Sequence, residues 1–327
     1  MATENRAGDG HATVFPGDGV PLARFDRPTG DGTTLVVVSD PHLTATDHGT
    51  LKMYHRTKQR FQMAVADAHR LDADGFVVAG DLTKSGGDDE VALAAELLRI
   101  APRPTITVPG NHDVAPAGGA FPTGDAFAEW RGADGYPQSR TVDSLAVRTL
   151  DTTDGSTGGA VDTETLQAID WPATTPQIAV MHHPIAAIPR PFRAELSDVD
   201  YRVENPVATA DALAEAGVDL VVTGHLHWPF ATEFRGLNVV GAPGAASFPP
   251  AYLLVHVGQR GTTVTLVPLA GACGLSEAYE YAVKDDLRGP VIRDAVSNDY
   301  FGEFPLVDRQ TSGTDSVPSR RKTGALR

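Results

Sequence analysis

Thr34-Leu35-Val36-Val37-Val38-Ser39-Asp40-Pro41-His42 is the stretch that decides how this chain folds. Its first six residues form a short β-branched run, the composition of a strand buried on both faces. The run ends at a carboxylate and an imidazole two residues apart. The same figure repeats down the sequence. Gly75–Ala79 (GFVVA) ends in Gly80-Asp81, and Thr105–Val108 (TITV) ends in Pro109-Gly110-Asn111-His112-Asp113. Gln177–Met181 (QIAVM) ends in His182-His183-Pro184, and Val218–Thr223 (VDLVVT) in Gly224-His225-Leu226-His227. Each of these buried runs delivers a metal-competent residue just past its C-terminal end, the edge where open α/β sheets place their ligands.

Singly these motifs say little. An Asp after a strand is often a turn or N-cap residue, and Gly-Asn suits left-handed turns. A His pair is often merely hydrogen-bonded. Two His at i and i+2 after a strand do point the same way. Their order and joint spacing carry the meaning: a site built from Asp, Asn and His. The single cysteine, Cys273, excludes an internal disulfide and any thiolate cluster. Such oxygen and nitrogen donors suit hard or borderline divalent cations.

The series Asp40-x-His42, Gly80-Asp81, Gly110-Asn111-His112-Asp113, His182 and Gly224-His225-x-His227 resembles the calcineurin-like metallophosphoesterase superfamily over about residues 34–268. Gly80–Thr83 (GDLT), Val108–Asp113 (VPGNHD), Leu150-Asp151-Thr152 followed by Gly159, and His182–Pro184 (HHP) look most like class III cyclic-nucleotide phosphodiesterases and related glycerophosphodiesterases. The resemblance implies a four-layer α-β-β-α sandwich with mixed sheets and two divalent metal ions per chain, drawn from Mn, Fe, Zn or Co. Asp40, His42 and His227 would hold one ion. Asn111, His182 and His225 would hold the other, with Asp81 bridging. His182 is preferred to His183 because it directly follows the strand and precedes Pro184 by two, with the reversed assignment as the alternative. His112 becomes the group that stabilises the transition state or protonates the leaving alkoxide. Asp113, placed with it among the catalytic residues, orients His112 or caps the following turn. The implied reaction is hydrolysis of a phosphodiester or monoester of a small molecule by a metal-activated water. A nuclease and a non-catalytic binding scaffold are the alternatives on the same fold. Dimers are common among class III relatives, so a homodimer is an expectation.

Departures from neighbouring families narrow the reading. Purple acid phosphatases carry a Tyr ligand three residues after the bridging Asp; here that position is Lys84. The Ser/Thr protein phosphatases carry a catalytic Arg after that Asp, absent from Leu82-Thr83-Lys84-Ser85-Gly86. Lys84 either approaches the substrate phosphate or is a solvated loop lysine. Trp228 either walls the site or packs in the core, and His55 lies at the pocket mouth or on the surface. Arg190 and Arg193 are substrate contacts or solvated loop residues.

The 327 residues carry a net charge of −15 and a 41% hydrophobic fraction. That balance is globular, and its acidity argues against a nucleic-acid partner. An anionic substrate is repelled at long range, so capture requires a local cationic centre. No apolar run is long enough for a membrane span and the N-terminus lacks an apolar signal core, so a cytoplasmic protein is expected. Residues 1–33 read as a loosely packed leader, 34–268 as the domain, 269–309 as a C-terminal extension and 310–327 as a disordered tail. Helical spacing marks residues 51–71, 90–100, 162–171 and 207–216. The substrate-selecting loops are placed at 115–140 and 184–205. Tyr300–Phe304 is read as docking on the domain or on a partner.

Overall fold

Alternation inside the buried runs sorts the chain into layers. A computed structural model describes residues 19–113, 136–154, 158–168, 176–187 and 201–310. In strand β2 (Thr33–Val38), Leu35 and Val37 face a second sheet, whereas Val36 and Val38 face helices. Strand β3 (Gly75–Ala79) repeats this, with Val77 and Ala79 on one side and Phe76 and Val78 on the other. Period-two alternation in a strand apolar on both faces requires cover on both sides.

The first sheet is completed by β1 (Val20–Phe25), β4 (Thr105–Val108), β11 (Ala251–Gly258), β12 (Gly261–Pro268) and β13 (Val307–Asp308), in the order β13-β1-β12-β11-β2-β3-β4. The second contains β5 (Gln138–Val142), β6 (Leu145–Thr149), β7 (Gln177–Val180), β8 (Leu220–Thr223), β9 (Phe230–Phe234) and β10 (Leu237–Gly241), ordered β5-β6-β7-β8-β10-β9. Both sheets are mixed: β2-β3-β4 and β6-β7-β8-β10 run parallel, and the flanking pairs β11·β2, β5·β6 and β10·β9 are antiparallel. Helices α1 (Thr57–Leu71) and α2 (Asp88–Arg99) supply Phe61, Val65, Leu93 and Leu97 to the outer face of the first sheet. Helix α3 is Thr163–Ala168. Helices α4 (Pro206–Glu215), α5 (Ala272–Ala282) and α6 (Arg288–Ser297) pack Leu213, Leu275 and Ile292 against the outer face of the second. Three apolar interlayers thus separate four layers, the architecture the resemblance implied. No helix among the described residues is long and apolar enough to cross a membrane.

The leader boundary needs correction. Val20–Phe25 is a sheet strand, paired antiparallel with β12, and Leu22, Ala23 and Phe25 are fully buried. The register slips between Pro21 and Ala23, the kind of irregularity that admits a proline into a sheet. The C-terminal extension is also part of the body. Tyr300 and Phe301 pack with Phe248 around the fully buried Trp228. Trp228 is therefore a core residue, and the Tyr300–Phe304 stretch docks on its own domain. The proposed loop at 115–140 falls largely outside the described residues, as do Arg190, Arg193 and the tail from 311.

Candidate metal centre

Each loop that carries the motifs leaves the C-terminal end of a parallel strand, so both sheets empty into one place. Loops after β2 and β3 run side by side: Asp40 N–H donates to Gly80 O at 3.1 Å, His42 N–H to Asp81 O at 2.9 Å, and Leu43 N–H to Leu82 O at 2.8 Å. Gly224 N–H donates to His182 O at 2.9 Å, joining the two loops of the second sheet. Ala245 N–H donates to Ser39 O at 2.9 Å, tying the first sheet to the second. Close approach explains two glycines. A Cβ on Gly110 would collide with Asp81, and one on Gly224 with Ser39 and the Asp40 carboxylate.

Asp40, His42, Asp81 and His227 are buried and lie together, with ligand atoms within 4.8 Å of one another; His182, His183 and His225 form an adjoining group. The side chains are aimed by their outer atoms. His182 Nδ1 donates to Ala79 O at 2.9 Å, leaving Nε2 3.4 Å from Asp81 Oδ2. His227 Nδ1 pairs with Ser247 Oγ at 2.7 Å, leaving Nε2 3.1 Å from Asp40 Oδ1. His42 Nε2 lies 3.5 Å from Asp81 Oδ2 and 3.1 Å from His227 Nε2. His225 Nδ1 lies 3.3 Å from His182 Nε2. Asp40 Oδ2 is held by Ser39 Oγ–H at 2.5 Å and His225 N–H at 3.1 Å. Asp40 Oδ1 and Asn111 Oδ1 are buried without a hydrogen bond among the described residues.

Paired imidazole nitrogens pointing at one another, beside carboxylate and amide oxygens with no donor, form a donor set suited to cations. The charge balance agrees. Burial pushes the Asp40 and Asp81 carboxyls up, but His227 and His182 respectively outweigh it and hold both well below the usual range. Burial keeps His42 and His225 far below the ordinary imidazole value, and takes His227 down to about 4. Burial also pulls on His182, but Asp81 and Asp40 overcome it and raise that ring to about 9. The two carboxylates therefore draw positive charge to the spot where their oxygens converge.

His183 stands beside His182 with a different set of contacts. His183 turns Nδ1 to Thr152 Oγ at 2.7 Å and lies against the His225 ring, 4.6 Å between centroids. Burial lowers it to about 3. His112 stands edge-on to His42, with ring centroids 4.7 Å apart. Its backbone N–H donates to Asp81 Oδ1 at 2.8 Å, and its Nδ1 is 2.8 Å from Lys84 O.

Asp113 does not do what its grouping with the catalytic residues implied. Its carboxylate accepts from Leu82 N–H (3.1 Å), Thr83 N–H (2.8 Å), Thr83 Oγ–H (2.8 Å) and Gly110 N–H (2.9 Å). It makes no bond to the His112 ring; it fastens the β3 and β4 loops together. Burial, then the charge of Asp81, raises it to about 6 despite these donors. Lys84 bonds Asp47 at 2.7 Å and lies over Tyr54, turned away from the centre. His55 pairs with Glu277 of α5 at 3.4 Å instead of lining the site.

Two cations escaped the sequence reading. Lys52 Nζ is 3.1 Å from His112 Nε2. Arg288, at the start of α6, donates from Nη1 to Leu226 O at 3.2 Å, between His225 and His227. No local motif flags either residue. Tyr201 and Ser247 were also missed; the Tyr201 ring lies 5.5 Å from His225.

Two sheets with Asp, Asn and His gathered at their strand ends define a class of metal-handling α/β sandwich. The chain belongs to the calcineurin-like phosphoesterase family, whose model matches residues 33–229. It is 27% identical over 263 residues to a probable cyclic nucleotide phosphodiesterase of Rhodococcus erythropolis, covering 76% of this chain and 81% of that one. Among solved structures, its fold is similar to a dimetal phosphatase from Danio rerio. The TM-score is 0.53 at 14% identity, covering 73% of this chain and 99% of that one. It is also similar to a purple acid phosphatase from yellow lupin, with a TM-score of 0.51 at 12% identity, covering 74% of this chain and 52% of that one.

Proposed function

We propose that this chain is a two-metal phosphoesterase that hydrolyses the phosphodiester of a small molecule. The observation that carries this is the position of Asp81. Its Oδ2 lies 3.5 Å from His42 Nε2 and 3.4 Å from His182 Nε2, one nitrogen from each proposed ligand set. Asp40, His42 and His227 would hold one divalent cation and Asn111, His182 and His225 the other, with Asp81 available to both. Mn, Fe, Zn and Co are the candidate ions. When bound, such a pair neutralises phosphate oxygens and lowers the pKa of water.

The protein's own contribution is orientation and proton handling. Ala79 O and Ser247 Oγ fix the ring planes of His182 and His227, as the outer partners of ligating imidazoles do. Lys84 O holds His112 through Nδ1, which leaves Nε2, 3.1 Å from Lys52 Nζ, as the atom that takes up a proton and passes it to the leaving alkoxide. Similarity to a probable cyclic nucleotide phosphodiesterase of Rhodococcus erythropolis supports the diester reading. The net charge of −15 disfavours the nuclease reading, and a full donor set disfavours the scaffold reading.

The test compares bis-p-nitrophenyl phosphate with p-nitrophenyl phosphate, using metal-stripped protein before and after Mn is added back. Diester cleavage restored by Mn supports the proposal. Monoester preference moves the protein to the phosphatases, and inertness toward both despite two bound metals overturns catalysis.

A further inference from the structure

We infer that Lys52 and Arg288 form an anion clamp that binds the phosphoryl oxygens of the substrate, with Arg288 brought to the metal centre by the C-terminal helices. The inference rests on the phosphoesterase reading and adds to it the residues that capture substrate.

The argument begins with charge. The chain has 42 acidic residues against 27 Lys and Arg, so a cation has no shortage of partners. Several cations elsewhere use them: Arg24 pairs with Asp308, Arg56 with Glu277, Lys84 with Asp47, and Arg235 with Asp211, whereas Arg60 is buried on the carbonyls of Ala246 and Gly274. Among the described residues, Lys52 and Arg288 form no ion pair. Both are partly withdrawn from solvent, where charge is costly, and both feel the Asp40 carboxylate only through space, joined by Asp81 for Lys52 and by Asp285 for Arg288. Both face the same centre. Lys52 Nζ meets His112 Nε2 beside His42, and Arg288 meets the carbonyl between His225 and His227.

Neither contact accounts for the charge. Lys52 has three N–H donors and Arg288 five, and each spends one on a neutral acceptor. Fixing a carbonyl or an imidazole needs no cation. Unsatisfied cationic donors beside a proposed phosphate site fit an anion that arrives with its own negative oxygens, because charge-assisted bonds are roughly twice as strong as neutral ones. The clamp also answers the steering problem of an acidic protein by placing positive potential only where substrate must dock. Arg288 lies beyond residues 33–229, the segment matched by the family model. The α5–α6 extension therefore completes the substrate site as well as covering the sheet.

The experiment uses full-length Mn-loaded protein and the variants Lys52→Met, Arg288→Gln, Arg288→Lys and the Lys52→Met/Arg288→Gln double. Binding of inorganic phosphate is measured by calorimetry, metal content by mass spectrometry, and KM and kcat with bis-p-nitrophenyl phosphate. The expected result is about tenfold weaker phosphate binding for each single neutral variant and about a hundredfold for the double. KM should rise in parallel and two metals should be retained. Arg288→Lys, which keeps the charge, should recover most of the loss and guards against a mere loop defect in Arg288→Gln. Unchanged phosphate affinity and KM in Lys52→Met and Arg288→Gln overturn the clamp, as does loss of metal in Lys52→Met. Phosphate binding that depends on both cations in a protein that cleaves no ester supports the clamp and refutes the reaction instead.

Discussion

Replacing Asp113 by alanine tests whether that carboxylate holds the loops or serves the reaction. The side chain is 2% exposed and receives three backbone N–H groups and the Thr83 hydroxyl. Truncation strands the amides of Leu82, Thr83 and Gly110. A buried donor left without a partner costs about 1–3 kcal/mol, so the gross loss is about 3–9 kcal/mol. Two effects reduce it: the burial cost of the charge disappears, and water enters the space the carboxylate leaves. A net loss of about 3–4 kcal/mol is the expectation, which lowers Tm by about 4–6 °C for a chain of this length. The assay is urea unfolding of the metal-free protein, so that metal affinity does not enter, with Asp113→Asn as the milder variant. The asparagine keeps one acceptor oxygen but turns an NH2 toward two donors, so it recovers only part of the loss. A stability loss below about 1 kcal/mol combined with abolished turnover would refute the structural role and return Asp113 to the chemistry.

Other consequences can be checked directly. Asp81→Ala removes the carboxylate shared by both ligand sets; metal analysis should show both ions lost and turnover near background. His112→Ala should keep both metals while slowing turnover by about 10²-fold or more; loss of metal in that variant would place His112 among the ligands. Ser247→Ala frees Nδ1 of His227 and should weaken metal affinity by about 10- to 100-fold, measured by competition with a chelating dye. Trp228→Ala empties a fully buried aromatic site and should cost about 3–5 kcal/mol in denaturant unfolding.

The parts of this molecule that could be read ahead are those with short-range causes. β2, β3, β4 and β7 announce themselves as β-branched or apolar runs, and the residues just past each run build the site. The layer count came through the resemblance, and the structure supports it because residues such as Leu35 and Val36 divide between two interlayers. β1 was missed because Pro21 and Arg24 break its pattern, and only the slipped register with β12 accommodates the proline. The α5 and α6 helices carry a readable spacing, Leu275, Ala278 and Ala282, then Val291, Ile292 and Ala295. Their place against the second sheet is a tertiary fact. So is the placing of Lys52 and Arg288 beside the centre, which no motif next to them announces. Asp113 shows the converse: inside a strong motif, its carboxylate takes up loop amides of Leu82, Thr83 and Gly110, contacts the motif does not announce.

Asp40, His42, Asp81, His225 and His227 share one backbone property: all have positive φ, from 43° to 67°. For residues other than glycine each such conformation costs about 1–3 kcal/mol. Five of the seven proposed ligands thus sit on strained backbone, a property they share with positions away from the centre such as Thr50, Met53 and Arg235. Random drift that favoured thermal robustness would replace them first, since asparagine or glycine relaxes the same turns. A descendant that no longer needed its metals could therefore become sturdier as its centre decayed, and a library screened for heat resistance alone would be expected to lose these side chains before those of the core.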